Sequence, residues 1–325
     1  MSRRLTLPRE TLHHLLVRTD GDQDTVNALQ LSVDQRYCRD LTRREAANFY
    51  WGFVALPKPQ RLAIYALYSF AREVDDEVDL SPNGHAHAGA HAAVAPVIPS
   101  GHPGSRFEYH QARLERCFGG NADDPVMRVL MHVVAHYGIP KEDLEALIRG
   151  VETDLLVTRY ASWEQLRSYC RLVASSVGRM CVRVFGFTDP AALEFADDLG
   201  VAMQLANILR DVREDVDMGR IYLPQDELRA FGVSEQALLA GEPVAGWEPL
   251  IRYELDRAHQ LFKSGLRVTA VIPRRAAACV LTMAGIYQAI VADIERDPYL
   301  PLRQRASLSS REKLSVMLRS WLQAV

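Results

Sequence analysis

Arg61 to Asp79 reads RLAIYALYSFAREVDDEVD, and this stretch decides the fold. Leu62, Tyr65, Leu67, Tyr68 and Val74 recur at mixed three- and four-residue spacings with no sustained period of two, the mark of a helix rather than a strand. Outward from it the same periodicity continues. A helix is predicted over 141–160, where Pro140 is followed by Lys, Glu and Asp, placing acids in a first turn that favours them. Others are predicted over 163–185, 190–217, 248–269 and 274–296, with Pro and Gly falling between them at Gly186–Pro190 and Val271–Pro273. Strand signals are nearly absent. The expected fold class is all-α, a single-domain helical bundle around a shared interior.

Composition agrees and excludes several classes. Of 325 residues, 48% are hydrophobic and 24% charged, so the chain can bury a sizeable core. Lys and Arg total 38 against 41 Asp and Glu, and a net charge of −3 gives no basic field for a nucleic-acid partner. Cys38, Cys117, Cys170, Cys181 and Cys279 are scattered without a CxxC pair, which argues against a disulfide or zinc scaffold. No apolar run is read as approaching the roughly 18–20 residues of a membrane span. The N-terminus shows no signal-peptide pattern, and a cytoplasmic location is expected. Residues 1–40 are read as an N-terminal arm or extra helix, and 41–325 as the catalytic domain. Within it, 81–106 (SPNGHAHAGAHAAVAPVIPSGHPGSR) is a long Gly/Pro/His-rich loop. Its histidines, His85, His87, His91 and His102, lack a fixed acidic or cysteine partner and are read as solvated linker residues. Segment 312–322 is expected to dock its apolar face onto the bundle, with peripheral membrane contact as the other use of that face.

Two acidic clusters carry the chemistry. In the first, Asp75 and Asp79 lie four apart on one helical face with Asp76 beside them. Like charges at that spacing repel, so a cation must compensate unless the face is fully solvated. In the second, Asn207, Asp211 and Asp215 repeat at i, i+4, i+8, and Gln204 extends the stripe. Converging carboxylates with a neutral amide oxygen are what hard Mg²⁺ prefers, with substrate phosphates completing its shell. Arg210 stands close enough to balance charge or reach a phosphate.

From Asn48 to Arg305 the chain resembles the squalene/phytoene synthase family. Leu56-Pro57 with Arg61, then Tyr68 to Asp79, resemble its first aspartate-rich helix. Thr158-Arg159-Tyr160, Tyr169-Cys170 and Val173 to Gly178 resemble its central helix. QLANILRDVREDVDMGRIYLP, from Gln204 to Pro224, is the most specific match; Tyr287 and Arg303–Arg305 resemble C-terminal elements. The resemblance implies the isoprenoid-synthase bundle with a central active-site cavity, allylic prenyl diphosphate substrates and two or three Mg²⁺ ions. It implies metal ligation by Asp75, Asp76, Asp79, Asn207, Asp211 and Asp215. Substrate contact would come from Arg61, Gln204, Arg210, Arg220, Tyr222 and Arg305, with Asp75, Asp211, Tyr169 and Tyr287 catalytic. Val173, Ala174, Val177 and Leu205 would shape the apolar tunnel.

The implied reaction is head-to-head condensation of two farnesyl (C15) or geranylgeranyl (C20) diphosphates through a cyclopropylcarbinyl diphosphate, towards squalene or phytoene. MCVRVFGF (180–187) leans towards squalene-type relatives. NADPH enters only if squalene is the final product. The alternative keeps the ionisation step but transfers the prenyl group to an aromatic small molecule. Arg213, where the family often has Gly, is read as a solvated helix residue or an altered phosphate contact. Monomer and homodimer are both left open.

Overall fold

The computed structural model describes residues 20–46, 49–79, 106–242 and 244–324, with the side chains of 20–26, 77–79 and 106 outside the description. The loop expected at 81–106, with its histidines, and the first 19 residues therefore lie outside the described residues. Among the described residues the structure is helical, with one isolated bridge between Arg159 and Ile221 in place of any strand.

α9 (Ala192–Asp217) is buried nearly all round, through Leu199, Val201, Ala202, Leu205, Ala206, Ile208, Leu209 and Val212. A helix buried over so wide an arc belongs in the interior of a bundle, and the remaining arc is the polar stripe of Gln204, Asn207, Asp211 and Asp215. α12 (Trp247–Gly265), α8 (Ser176–Phe185) and α13 (Arg274–Arg296) pack around it. α13 corrects one sequence expectation: by length and composition it is apolar enough to cross a membrane. Here its apolar faces serve the bundle, with Ala276, Cys279, Ala284, Ile290, Val291 and Ile294 buried.

α3 (Lys58–Asp79) begins three residues before the stretch that predicted it. It buries Ile64, Tyr65, Leu67, Phe70 and Val74 against α1 (Asp20–Glu45), α5 (Pro125–Tyr137), α6 (Lys141–Leu156) and α8. α1 runs through residue 40 to Glu45 without a break, and its buried Asp34 pairs with Arg128 of α5 at 2.7 Å. α4 (Arg106–Phe118) is tied back to α3 by Arg113, which reaches Glu73 at 2.7 Å and Asp124 at 3.0 Å. That buried pair fixes the acidic end of α3.

The helix predicted over 163–185 is not uniform. Between α7 (Trp163–Cys170) and α8 it widens into a π-turn at Arg171–Ser175, a distortion often found at functional sites. The π-turn sits against two glycines. A Cβ on Gly150 of α6 would lie 2.6 Å from Val173 Cγ1, and one on Gly200 of α9 would lie 2.7 Å from the backbone N and Cα of Ser175. Backbone cannot rotate aside. Gly200→Ala is therefore expected to lose more than the about 1 kcal/mol it gains in helix propensity, for a net cost of about 1–3 kcal/mol. Thermal denaturation would read this as a fall of several degrees in Tm; an unchanged Tm would show that the π-turn yields freely.

Candidate active site

α9 holds the second acidic cluster at the centre of the bundle. Asn207 donates from Nδ2 to Gln204 Oε1 at 3.3 Å, while its Oδ1 is buried without a hydrogen-bond partner. Arg210 grips Asp211 with Nε–Oδ1 at 2.7 Å and Nη2–Oδ2 at 2.5 Å. Arg305 adds an ion pair to Asp211 at 3.0 Å and reaches Glu214 at 3.4 Å. Asp215 is only 7% exposed. Burial, reinforced by the charge of Asp211, pushes its carboxyl up to about 8, and the nearby Arg220 opposes that rise. Behind Asp215 lies a cavity of about 10 Å³ bounded by Val212, Arg220 and Tyr222, about the size of one water. Lys313, on α15 (Ser310–Ala324), lies near Arg210 and Arg305; burial and these two cations hold it below the ordinary lysine range. Beside Asp211, then, stands a group of cations, two of them given by the sequence reading and one, Lys313, missed by it.

The first cluster ends α3. Asp75 is exposed, Asp76 pairs with Arg72 at 2.6 Å, and the side chain of Asp79 lies outside the described residues. Glu73 of the same run turns inward to Arg113. Among the described residues no three Asp, Glu, His or Cys side chains stand together as a closed metal site. What joins the two clusters is aromatic: Tyr68 on α3 lies 6.4 Å from Phe49, which lies 6.2 Å from Tyr287 on α13. Tyr68 is raised by burial, with Asp75 and Asp76 nearby; Tyr287 is raised by burial and held back by Arg210. Arg61 lies in the first turn of α3, at the end opposite the acidic cluster. It precedes Asp75 by 14 residues, about 21 Å along α3, and donates to the Val54 carbonyl at 3.4 Å. Arg72, one turn before Asp76, is engaged by that carboxylate at 2.6 Å.

A third set was not foreseen. Asp154, near the end of α6, accepts hydrogen bonds from Tyr169 at 2.8 Å and Tyr222 at 2.9 Å. Tyr160 completes a stack: its ring centroid is 5.3 Å from that of Tyr169 and 5.8 Å from that of Tyr222, which are 5.6 Å from each other. Burial, with Asp154 beside them, raises all three hydroxyls. Loop 157–162 holds Tyr160, and Ile221 N donates to the Thr158 carbonyl at 3.0 Å, so the loop is sewn to the segment carrying Arg220 and Tyr222. Val173 packs on this cluster, Val177 lies against the main core, Ala174 is half-buried and Leu205 is fully buried. Arg213 does not extend towards a phosphate: it donates to the Leu238 carbonyl at 3.2 Å and pairs with Asp217 at 2.5 Å, pinning α11 (Glu235–Ala240) to α9.

The α9 donors fit a divalent cation. An orphaned amide oxygen on Asn207 and a buried carboxyl on Asp215, one turn to either side of Asp211, are costly without one. Arg210, Arg305 and Lys313 stand beside this stripe as cations for a polyanion, and the stacked tyrosines lie nearby. The model of the squalene/phytoene synthase family matches residues 42–312. Phytoene synthase of Mycobacterium tuberculosis is 33% identical over 289 residues, covering 87% of this chain and 90% of that protein. 15-cis-Phytoene synthase of Synechococcus elongatus is 34% identical over 296 residues, covering 87% and 91%. In structure, squalene synthase HpnC from Alicyclobacillus acidocaldarius superposes with a TM-score of 0.74 at 31% identity, covering 84% of this chain and 97% of that one. A dehydrosqualene synthase in complex with ligand gives 0.78 at 25%, covering 92% and 100%. The chain belongs to the squalene/phytoene synthase family. None of these relatives favours the aromatic-acceptor alternative.

Proposed function

We propose that this protein condenses two allylic prenyl diphosphates, of C15 or C20, head to head through a cyclopropylcarbinyl diphosphate. The observation that carries the proposal is the α9 stripe, where a buried Asp215 and an unpartnered Asn207 oxygen flank an arginine-held Asp211. Asn207, Asp211 and Asp215 would hold Mg²⁺ from α9, and Asp75, Asp76 and Asp79 from α3. When bound, Mg²⁺ supplies Lewis-acid neutralisation of a leaving group that carries about three negative charges. Arg210, Arg305 and Lys313 bind the departing diphosphate from one side, and Arg220 meets the charge near Asp215. Tyr160, Tyr169 and Tyr222 offer ring faces to the allylic cation, and Tyr287 borders the arginine group. Val173, Ala174, Val177 and Leu205 keep water from that cation.

The test is an assay of purified protein with Mg²⁺ and either farnesyl or geranylgeranyl diphosphate, with and without NADPH, products read by mass spectrometry. A coupled C30 or C40 product is expected from one of the two donors. Diphosphate release that needs an aromatic acceptor would overturn the proposal, as would substrate binding without any coupled product.

A further inference from the structure

α15 has two unlike faces. Val316 and Ser320 are buried against α13, where a Cβ on Gly285 would lie 2.7 Å from Val316 Cγ1. On the other side Leu314, Leu318, Trp321 and Leu322 are 41, 55, 42 and 78% exposed. At i, i+4, i+7 and i+8 they form a single stripe about 12 Å long. Arg311 and Arg319, both exposed, border it. The one acid of the helix, Glu312, is engaged in a capping box, taking the Ser309 backbone N and Oγ at 2.7 Å each. Glu312 keeps its charge, so Arg311 and Arg319 against this one acid leave the residues around the stripe with a positive balance.

We propose that this stripe is a docking surface for an anionic lipid bilayer, with α15 lying in the plane of the headgroups. Four aligned large apolar side chains differ from the scattered exposure normal on soluble proteins. A second copy of the chain is the weaker occupant. Four roughly half-exposed side chains offer on the order of 400 Å², about half of what each partner contributes to a stable interface. Insertion of a narrow Leu/Trp stripe about 5–10 Å into the headgroup–acyl boundary needs no such area, and flanking arginines supply attraction to anionic lipid. The inference rests on this surface alone and stands whichever prenyl diphosphate is used. It places the enzyme at the phase into which a C30 or C40 hydrocarbon partitions.

The full chain is tested by co-sedimentation with vesicles of phosphatidylcholine alone and of phosphatidylcholine with phosphatidylglycerol. Binding to the mixed vesicles is expected, falling about tenfold or more in Leu318→Ser/Leu322→Ser and similarly in Arg311→Glu/Arg319→Glu, with Tm unchanged in both. Binding should also weaken in high salt. Wild-type protein left in the supernatant with anionic vesicles would overturn the proposal, as would double variants that bind like wild type. A wild-type dimer on size exclusion that the leucine variant converts to monomer would assign the stripe to a second copy instead.

Discussion

Asp215→Asn is expected to abolish turnover, by about 10³-fold or more, while making the metal-free protein more stable at neutral pH. The two effects have one cause. Asp215 is 7% exposed, and burial first, then Asp211, raise its carboxyl from 3.8 to about 8. The folded state therefore holds a proton that the unfolded chain releases near pH 4. Stability from this group is complete below pH 4 and is lost as pH climbs through about 8, so the metal-free wild type should melt at lower temperature at pH 8 than at pH 5. An amide has no such titration, and the variant should lose that part of the slope. Mg²⁺ favours the ionised form, so its addition should raise the wild-type Tm more at pH 8 than at pH 5, and should barely move the variant. Differential scanning calorimetry across pH, beside the prenyl-coupling assay, reads both. A variant that keeps activity within tenfold, or melts well below wild type at pH 8, would remove Asp215 from the metal stripe.

That stripe was legible in the sequence because its information is one-dimensional. Asn207, Asp211 and Asp215 sit on one helix at the helical period, and no tertiary knowledge is needed to align them. The first cluster was legible only in part. AREVDDEVD announces an acidic helix end, yet periodicity does not say that Glu73 is claimed by Arg113, a residue 40 positions away across residues 80–105. The π-turn at Arg171–Ser175 left no trace, because RLVAS is an ordinary helical sequence and the glycines that lie against the widened turn, Gly150 and Gly200, are distant in sequence. Asp154 was invisible for the same reason. A single carboxylate near the end of an amphipathic helix reads as solvated, and its partners arrive from 15 and 68 residues away. Their meeting depends on the backbone pairing of 157–162 with 219–226, which no local pattern encodes.

Asp154→Asn is the second large effect expected. A carboxylate can accept from both tyrosine hydroxyls at once, as Asp154 does; an amide offers one oxygen, and its NH₂ faces the remaining hydroxyl as another donor. One of the two buried O–H groups is then left without its acceptor, at a cost of about 1–3 kcal/mol in stability. The loss in catalysis should be larger than that figure implies. Removing the carboxylate frees Tyr169 and Tyr222 to turn out of the stacked set, and it removes a negative charge beside the ring faces proposed to meet the allylic cation. The diphosphate contacts proposed above lie on Arg210, Arg305 and Lys313, so kcat should fall about a hundredfold while KM changes little. Tyr169→Phe keeps the ring and loses only the hydrogen bond; its effect combined with Asp154→Asn should be smaller than the sum of the two, because both break one contact. Asp154→Glu, which retains two acceptor oxygens, should recover part of the rate. Should Asp154→Asn lower Tm yet leave kcat within threefold of wild type, measured below both melting temperatures, the carboxylate would be a packing element and the tyrosine stack would owe its catalytic geometry to something else.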